Sequence, residues 1–381
     1  MGRGSHHASR AAALVVLLAP GCARLLDWDD LRVDPGSDAS LEAAVDTGFD
    51  AAPDAAETGP MSARWPERPA GATTPGGGKT LFWVARRIFL GSQDHDGAPV
   101  TDAWRGWGYD LDGRCTTEAS DPAVHCKPVG PPSGVRDGDG CRDNNYGARF
   151  MGPVVAGTKR AFEDEFMTSL VGGAATWVLR LDDVGDGDDD PYVPGALYVA
   201  ASTATPPKFD GSETRAILST SVFDGDLEKP LVRFPKGYLR GGTWVSGELA
   251  PAELRLPFGK RNSTPLSFRA VVLTTRLAPD RTTATSGVVA GVLSVPAFVA
   301  FFTPLAADFK LCPGDPIYTG IVDGIARYPD LSLDAPSLQD PSKTCDGISM
   351  GLGFELAPIP PPTTVAPPPT PTAVCGDAGA D

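Results

Sequence analysis

The stretch Ala252-Glu253-Leu254-Arg255-Leu256-Pro257-Phe258 alternates polar and apolar residues along its length. Successive side chains of a β-strand point to opposite faces of the sheet, so this period of two predicts a half-buried strand. A longer run, LSFRAVVLTTRL at 266–277, follows closely and is rich in the β-branched residues that favour strands. Each of the two runs therefore predicts a β-strand.

Four more runs outside this pair combine β-branched and aromatic residues between clusters of Gly, Pro and Asp. They lie at 79–91, 176–184, 195–202 and 242–249. Two segments, 158–173 and 316–328, have helical spacing instead. Short strands joined by turn residues are typical of sandwiches. The sequence therefore predicts a mainly β fold, an antiparallel, jelly-roll-like β-sandwich with one or two short helices and long acidic loops.

The N-terminus has the parts of a secretory signal. Arg3 and Arg10 supply positive charge, and AAALVVLLA at 11–19 is a short apolar segment that leads through small residues to Cys22. A bilayer-spanning helix needs about 20 apolar residues, so this segment is too short to be a permanent anchor. Residues 1–21 are therefore predicted to be a signal peptide that is removed on export.

The residues around the predicted cleavage point, Leu18-Ala19-Pro20-Gly21-Cys22, resemble the lipobox of bacterial lipoprotein precursors. That family prefers Leu three residues before the cysteine and a small residue two before it, where this chain has Ala19 and Pro20. The resemblance implies a lipid on Cys22 and, because Ala23 replaces the Asp typical of inner-membrane retention, an outer-membrane location. The alternative is a soluble secreted protein that is cleaved near the same point.

Composition divides the mature chain into three parts. Residues 22–60 carry ten acidic and two basic side chains, and the whole chain has a net charge of −15. Such a segment buries too little apolar surface to fold, so 22–76 is predicted to be an acidic disordered tether. Eight prolines between 358 and 371 predict an extended Pro-rich tail over 358–381. The β-rich extracytoplasmic domain, or two smaller ones, lies between them at 77–357, and its acidity argues against nucleic-acid partners.

Six cysteines remain once Cys22 is lipidated, an even number that predicts three disulfides in an exported chain. Sequence leaves fifteen pairings open. Cys312 and Cys345 are isolated from the others and are predicted to pair, with one of the first three cysteines reaching Cys375. Zinc is disfavoured because there is no Cys-x-x-Cys motif and only His95 and His125 remain after processing.

Catalytic motifs are incomplete. The Gly78-Lys79-Thr80 end of a phosphate-binding loop has Thr73 where the motif requires glycine. The stretch 347–351 fits the G-x-S-x-G nucleophile elbow, but no histidine follows Ser349. His95 lies in an acidic turn that is expected to raise its pKa, which suits a surface turn better than a general base. We therefore expect no catalytic triad and lean against an enzyme.

Acidic loops are the most suggestive feature. The pattern D-x-D-G occurs at 94–97, 110–113 and 137–140, and the third copy continues as CRDNN. Calcium prefers six to eight oxygen ligands, which alternate carboxylates can supply from one loop. The stretch DGDGCRDNN resembles thrombospondin type 3 calcium loops over nine residues. We predict Ca²⁺ ligands at Asp137, Asp139, Asp143 and Asn145; the alternative is that these are ordinary turn residues.

The expected function is that of an exported, lipid-anchored surface protein, a binding or envelope-structural module with calcium-supported loops. Its expected partners are the membrane, through the anchor, and a carbohydrate or another envelope protein. The alternative is an extracellular hydrolase that acts on carbohydrate through paired carboxylates. Trp104, Trp107 and Tyr109 lie beside the second acidic loop, where they either stack on a sugar or, as we expect, belong to the core.

Overall fold

The computed structural model describes residues 63–116, 126–130, 136–151, 161–258, 261–308, 310–333, 340–368 and 375. The strands are β1 (Lys79–Phe89), β2 (Thr176–Val184), β3 (Gly195–Ala200), β4 (Ile217–Leu218), β5 (Val232–Phe234), β6 (Tyr238–Arg240), β7 (Thr243–Val245), β8 (Ala250–Phe258), β9 (Arg261–Leu277), β10 (Ala284–Ser294), β11 (Gly347–Pro358) and β12 (Val365–Ala366). The α-helices are α1 (Ala161–Val171), α2 (Val295–Asp308) and α3 (Pro316–Ile325). Short 3-10 turns occupy Ala103–Gly106 and Ser219–Ser221, and Tyr146–Met151 forms a π-helical turn.

The strands form one mixed sheet in the order β12-β4-β3-β2-β1-β11-β10-β9-β7-β6, with β5 beside β3 and β8 beside β9. Within the described ranges the named strands pair antiparallel, except for the parallel contact of β12 with β4. The predicted mainly β class is confirmed, and the sandwich arrangement is compatible with this sheet. All six predicted strand runs overlap observed strands, and both predicted helical segments contain helices.

The sheet curls so that its β6 end meets the turn between β2 and β3. Asp190 and Leu239 form an antiparallel bridge, and the Val193 amide donates to Gly237 O at 2.8 Å. Trp244 Nε1 donates to Val193 O at 2.9 Å. The curl gives the sheet an inner face that is enclosed by its own strands.

The inner face holds the largest apolar cluster. Leu254 and Leu256 of β8 are buried in it, whereas Glu253 between them is exposed, as the alternation in β8 predicts. Tryptophans from three strands fill the same space, and the phenylalanines of α2 close it; they are Trp83, Trp177, Trp244, Phe298 and Phe301. This cluster is the main hydrophobic contribution to folding.

The outer face of β9 and β10 carries a second apolar cluster. Val272, Val288 and Val292 lie on this face, and Trp107 from the segment before β2 covers them. Trp107 is 1% exposed and stacks on Phe89, with ring centroids 4.8 Å apart. This packing fixes the irregular segment 104–116 on the sheet and thereby positions the acidic loops.

One apolar stretch, 289–302, is divided between β10 and α2. Pro296 lies in the first turn of α2, where a helix tolerates proline because the first amide groups have no partner within the helix. The residue therefore marks the start of a helix. In the described part of the chain, no helix is both long and apolar enough to cross a bilayer.

Three disulfides are present, as predicted, but their pairing corrects the expectation. They join Cys115 to Cys141, Cys126 to Cys345, and Cys312 to Cys375. The predicted Cys312–Cys345 bridge is wrong because a backbone bridge between Lys127 and Thr344 brings Cys126 to Cys345. Cys375 is reached by Cys312 and not by one of the first three cysteines.

Residues next to both predicted domain boundaries lie against the sheet. Tyr238 Oη donates to Pro66 O, and Arg68 Nη1 donates to Pro191 O at 2.6 Å. At the other boundary, Ile359 is buried and β12 pairs with β4. Cys22 and His125, by contrast, lie outside the described residues.

Candidate metal centre

The candidate site is built from two irregular segments, 104–116 and 136–145, that lie over β11. Gly351 and Gly353 make this approach possible, because a Cβ at Gly353 would collide with the ring of Trp107 and one at Gly351 with its backbone. Cys115–Cys141 joins the two segments covalently. The closely spaced glycines of β11 therefore allow Trp107 and its backbone to pack directly against the strand.

Asn144 ties the segments to β11. Its Nδ2 donates to the carbonyl oxygens of Trp104, Trp107 and Gly351 at 3.0, 3.3 and 3.2 Å. Its Oδ1 accepts from the amides of Gly147 and Gly351 at 3.0 and 2.9 Å. The side chain is fully buried, so these bonds fix the backbone beside it without competition from water.

Three carboxylates converge beside Asn144. Asp110, Asp112 and Asp143 each offer an oxygen, and these oxygens lie within 4.8 Å of one another. The residues are 1%, 5% and 2% exposed. Asp143 Oδ2 also accepts from the amide of Leu111 at 2.6 Å, which joins the two segments within the site. We call these three residues the acidic trio.

Some of the carboxyl groups in and around the trio have raised pKa values, because negative charges are crowded in a buried site. Burial raises the pKa of Asp143 well above its ordinary value, and the neighbouring Asp112 and Asp137 raise it further. Burial likewise raises the pKa of Asp137 to about 8 and that of Asp330 to about 7. Closely spaced carboxylates cannot all ionise without compensating positive charge, so the site must hold either protons or a cation.

Some buried oxygens at or beside the trio accept no hydrogen bond from the described residues, and they include Asp110 Oδ2 and Asn145 Oδ1. Arg64 Nε lies 3.8 Å from Asp110 Oδ2, beyond hydrogen-bond distance, and Asn145 Nδ2 donates to Tyr328 O at 2.6 Å. A buried oxygen without a donor costs about 1–3 kcal/mol, which a bound cation or water would recover.

The four predicted calcium ligands do not all lie at the acidic trio. Asp143 belongs to the trio, and Asn145 follows it with its buried oxygen. Asp137 lies near enough to interact with the trio, but its Oδ2 accepts from the amide of Thr116. Asp139 is not brought to the trio, because its exposed carboxylate pairs with Arg105 Nε at 3.0 Å.

Asp110 and Asp112 were not among the candidate ligands predicted from the sequence, although their D-x-D-G repeat had been singled out. The spacing within a single loop favoured the third repeat. The site instead combines the second repeat with the residue four positions after Asp139. The site could have been predicted from Cys115 and Cys141, which follow the second and third repeats and form a disulfide.

Other acidic loops are explained by turn chemistry. In the first repeat, Asp94 Oδ1 accepts from the amides of Asp96 and Ala98 at 3.0 and 2.8 Å. In the run at 182–190, Asp189 accepts from the amide of Gly241 and pairs with Arg240 at 2.9 Å. For these loops the structure supports the interpretation as turn residues.

His95 departs from expectation. Its pKa is lowered, first by burial and then by the charge of Arg142, which together outweigh the acidic neighbours in its turn. Its ring lies 4.0 Å from that of Trp107, so the residue packs against the loop segment. The predicted rise in its pKa is wrong because the Trp107 ring lies against the imidazole and the charge of Arg142 acts on it.

The remaining motifs are structural. Ser349 lies fully buried within β11, where its Oγ accepts from the Asn145 amide at 2.7 Å and contacts Asp330 Oδ2 at 2.5 Å. Trp104 and Trp107 are buried, as the core interpretation predicted. The Gly78-Lys79-Thr80 sequence leads into β1 and not into a helix.

Two surface cavities lie away from the trio. One of about 460 Å³ is lined by residues of β3, β5 and β8, including Tyr198, Arg233 and Glu253. The other, of about 270 Å³, is lined by residues that include Phe82 and Arg180. Neither cavity contains a carboxylate of the trio.

Comparison with known proteins identifies no relative. The sequence matches no protein-family model, and no curated protein or solved structure is similar to it. Function is therefore inferred from the residues and the geometry described above.

Proposed function

We propose that this chain is an exported, lipid-anchored protein of the bacterial envelope, a binding or structural module whose acidic loops are held by Ca²⁺ at Asp110, Asp112 and Asp143. The observation that carries the metal site is the convergence of three buried carboxylates from two separate segments. The buried oxygens Asp110 Oδ2 and Asn145 Oδ1, which accept no hydrogen bond from the described residues, support the metal site independently.

The donor set favours calcium over other common ions. All three members of the trio offer carboxylate oxygen, the donor that hard cations prefer, whereas zinc favours nitrogen and sulfur. Magnesium requires octahedral coordination and usually keeps several of its waters, so it fits a deeply buried site less well than calcium does. Calcium accepts irregular oxygen shells of six to eight ligands.

The proposed role of the ion is structural. A cation between Asp110 and Asp143 would link two segments that already share a disulfide and rest on β11. The carboxylates are at most 5% exposed, which leaves a carbohydrate substrate no access to them. Burial thus favours a structural metal over the alternative, a hydrolase with paired carboxylates, because a general acid must reach its substrate.

Thermal unfolding with and without chelator tests the metal site. Calcium that binds only the folded protein raises its melting temperature, by several degrees at saturation. Asp143→Asn should abolish this response, and Asp139→Asn, a matched change on the same loop that removes only an exposed carboxylate, should retain it. A wild-type melting curve that is indifferent to chelator would contradict the proposal.

The lipid anchor is proposed on the signal segment and Cys22. Three disulfides among the other cysteines suit an oxidising compartment outside the cytoplasm. Mass spectrometry of the mature protein should find Cys22 as an acylated first residue. An unmodified N-terminus at any position would refute the anchor and favour the secreted alternative.

A further inference from the structure

Residues 63–69, which we call the strap, bind both segments of the metal site. The amide of Ala63 donates to Gly140 O at 2.7 Å, and the amide of Asp110 donates to Ala63 O at 3.0 Å. The Trp65 ring meets that of Tyr109 edge-on, with centroids 5.8 Å apart. These contacts of Ala63 and Trp65 hold Arg64, the residue between them, at the edge of the acidic trio.

The Arg64 side chain faces the Asp110 carboxylate of the acidic trio. Its Nε lies 3.8 Å from Asp110 Oδ2, which accepts no hydrogen bond from the described residues. Gly113 closes the same acidic loop at φ +78°, and a Cβ there would collide with the Arg64 guanidinium. The loop thus leaves space for this side chain, which brings a fixed positive charge to a buried negative cluster.

We propose that Arg64 is a built-in counter-ion that competes with the metal for Asp110. Without a divalent ion, the guanidinium offsets part of the negative charge of the trio. When the ion binds, the like charge of Arg64 opposes it, and the half-exposed side chain turns toward solvent. Arg64 thereby sets the calcium affinity of the site below what its carboxylates alone would give. This inference rests on the proposed calcium site.

Arg68 provides a natural control within the strap. Its guanidinium donates to the backbone carbonyls of Pro191 and Lys236 and lies 4.6 Å from the centre of the Tyr238 ring. These contacts hold the strap on the sheet away from the trio. Neutralising Arg68 changes the net charge of the protein as much as neutralising Arg64 does, but it leaves the local field at Asp110 intact.

Calorimetric titration of the mature full-length protein with CaCl₂, at one fixed ionic strength, tests the inference. Arg64→Gln and Arg64→Met, which both remove the charge while Met keeps the apolar stem, should bind calcium about three- to tenfold more tightly than wild type, since the pair is partly screened by solvent. Arg64→Lys, which retains the charge, and Arg68→Gln should stay within about twofold of wild type.

The outcomes separate the two proposals. Equal or weaker calcium binding by both neutral Arg64 variants, with wild type binding normally, would overturn the inference and leave the calcium site standing. Equal tightening in Arg68→Gln would overturn it too, because the effect would then come from net charge. Absence of calcium binding in every protein, wild type included, would overturn the calcium site and the inference with it.

Discussion

At the scale of single residues, the sequence drew attention to the acidic loops but not to every residue that converges in the trio. Asp143 was predicted as a ligand and lies in the trio, whereas Asp139 turns to Arg105, a partner 34 positions earlier in the chain. Spacing within a loop shows which side chains share a turn and cannot show a distant arginine that neutralises one of them. His95 is the same case, since its ring contacts Trp107, which comes from another turn.

A pH dependence follows at this scale for the metal-free protein. Asp137 and Asp330, with pKa values of about 8 and about 7, keep protons in the folded state that an unfolded carboxyl loses near pH 4. The folded state therefore binds more protons between about pH 4 and 8, and the free energy of unfolding should fall as pH rises through that window. Urea unfolding in chelator at pH 5 and pH 8 measures this.

The control for that measurement is Asp137→Asn, whose side chain does not titrate. His95, whose lowered pKa acts in the opposite direction near pH 6, is unchanged in the variant, so the difference between the two proteins isolates Asp137. The variant should lose less stability than wild type between pH 5 and 8. Identical pH profiles would show that the Asp137 carboxyl is ionised throughout.

At the scale of elements, strands with β-branched alternation were predictable and glycine-rich ones were not. β8 and β9 follow the periodic pattern of their sequences, but β10 and β11 were missed. Their glycines weaken the strand signal for a tertiary reason. A Cβ at Gly287 would meet the ring of Phe354, and one at Gly353 would meet Trp107. Neither neighbour is evident from the local sequence.

A pair of glycine substitutions tests this explanation. Gly353→Ala should destabilise the protein by about 1–3 kcal/mol or more, because the added methyl group overpacks the contact with Trp107. Gly320→Ala, in α3 with open space around the new Cβ, should stabilise it by about 0.5–1 kcal/mol through helix propensity. Urea unfolding of both variants provides the comparison, and a neutral Gly353→Ala would contradict the packing explanation.

At the scale of the molecule, long-range links decide what local patterns left open. The bridge between Cys126 and Cys345 spans 219 positions and replaces the predicted Cys312–Cys345 pair. The curl of the sheet and the placement of the strap likewise depend on contacts between distant segments. The mainly β class was predictable because each predicted strand could be recognised from its own local sequence. The acidic trio was not, because it exists only where two segments meet on β11.

The central claim is that the acidic trio holds a divalent cation, and a crystal structure of the protein grown with CaCl₂ tests it most directly. Anomalous difference density should show one ion among the carboxylates of Asp110, Asp112 and Asp143, with oxygens at about 2.3–2.6 Å. Absence of density there at saturating calcium, with the three side chains otherwise placed as described, would contradict the claim and leave a cluster held together by shared protons.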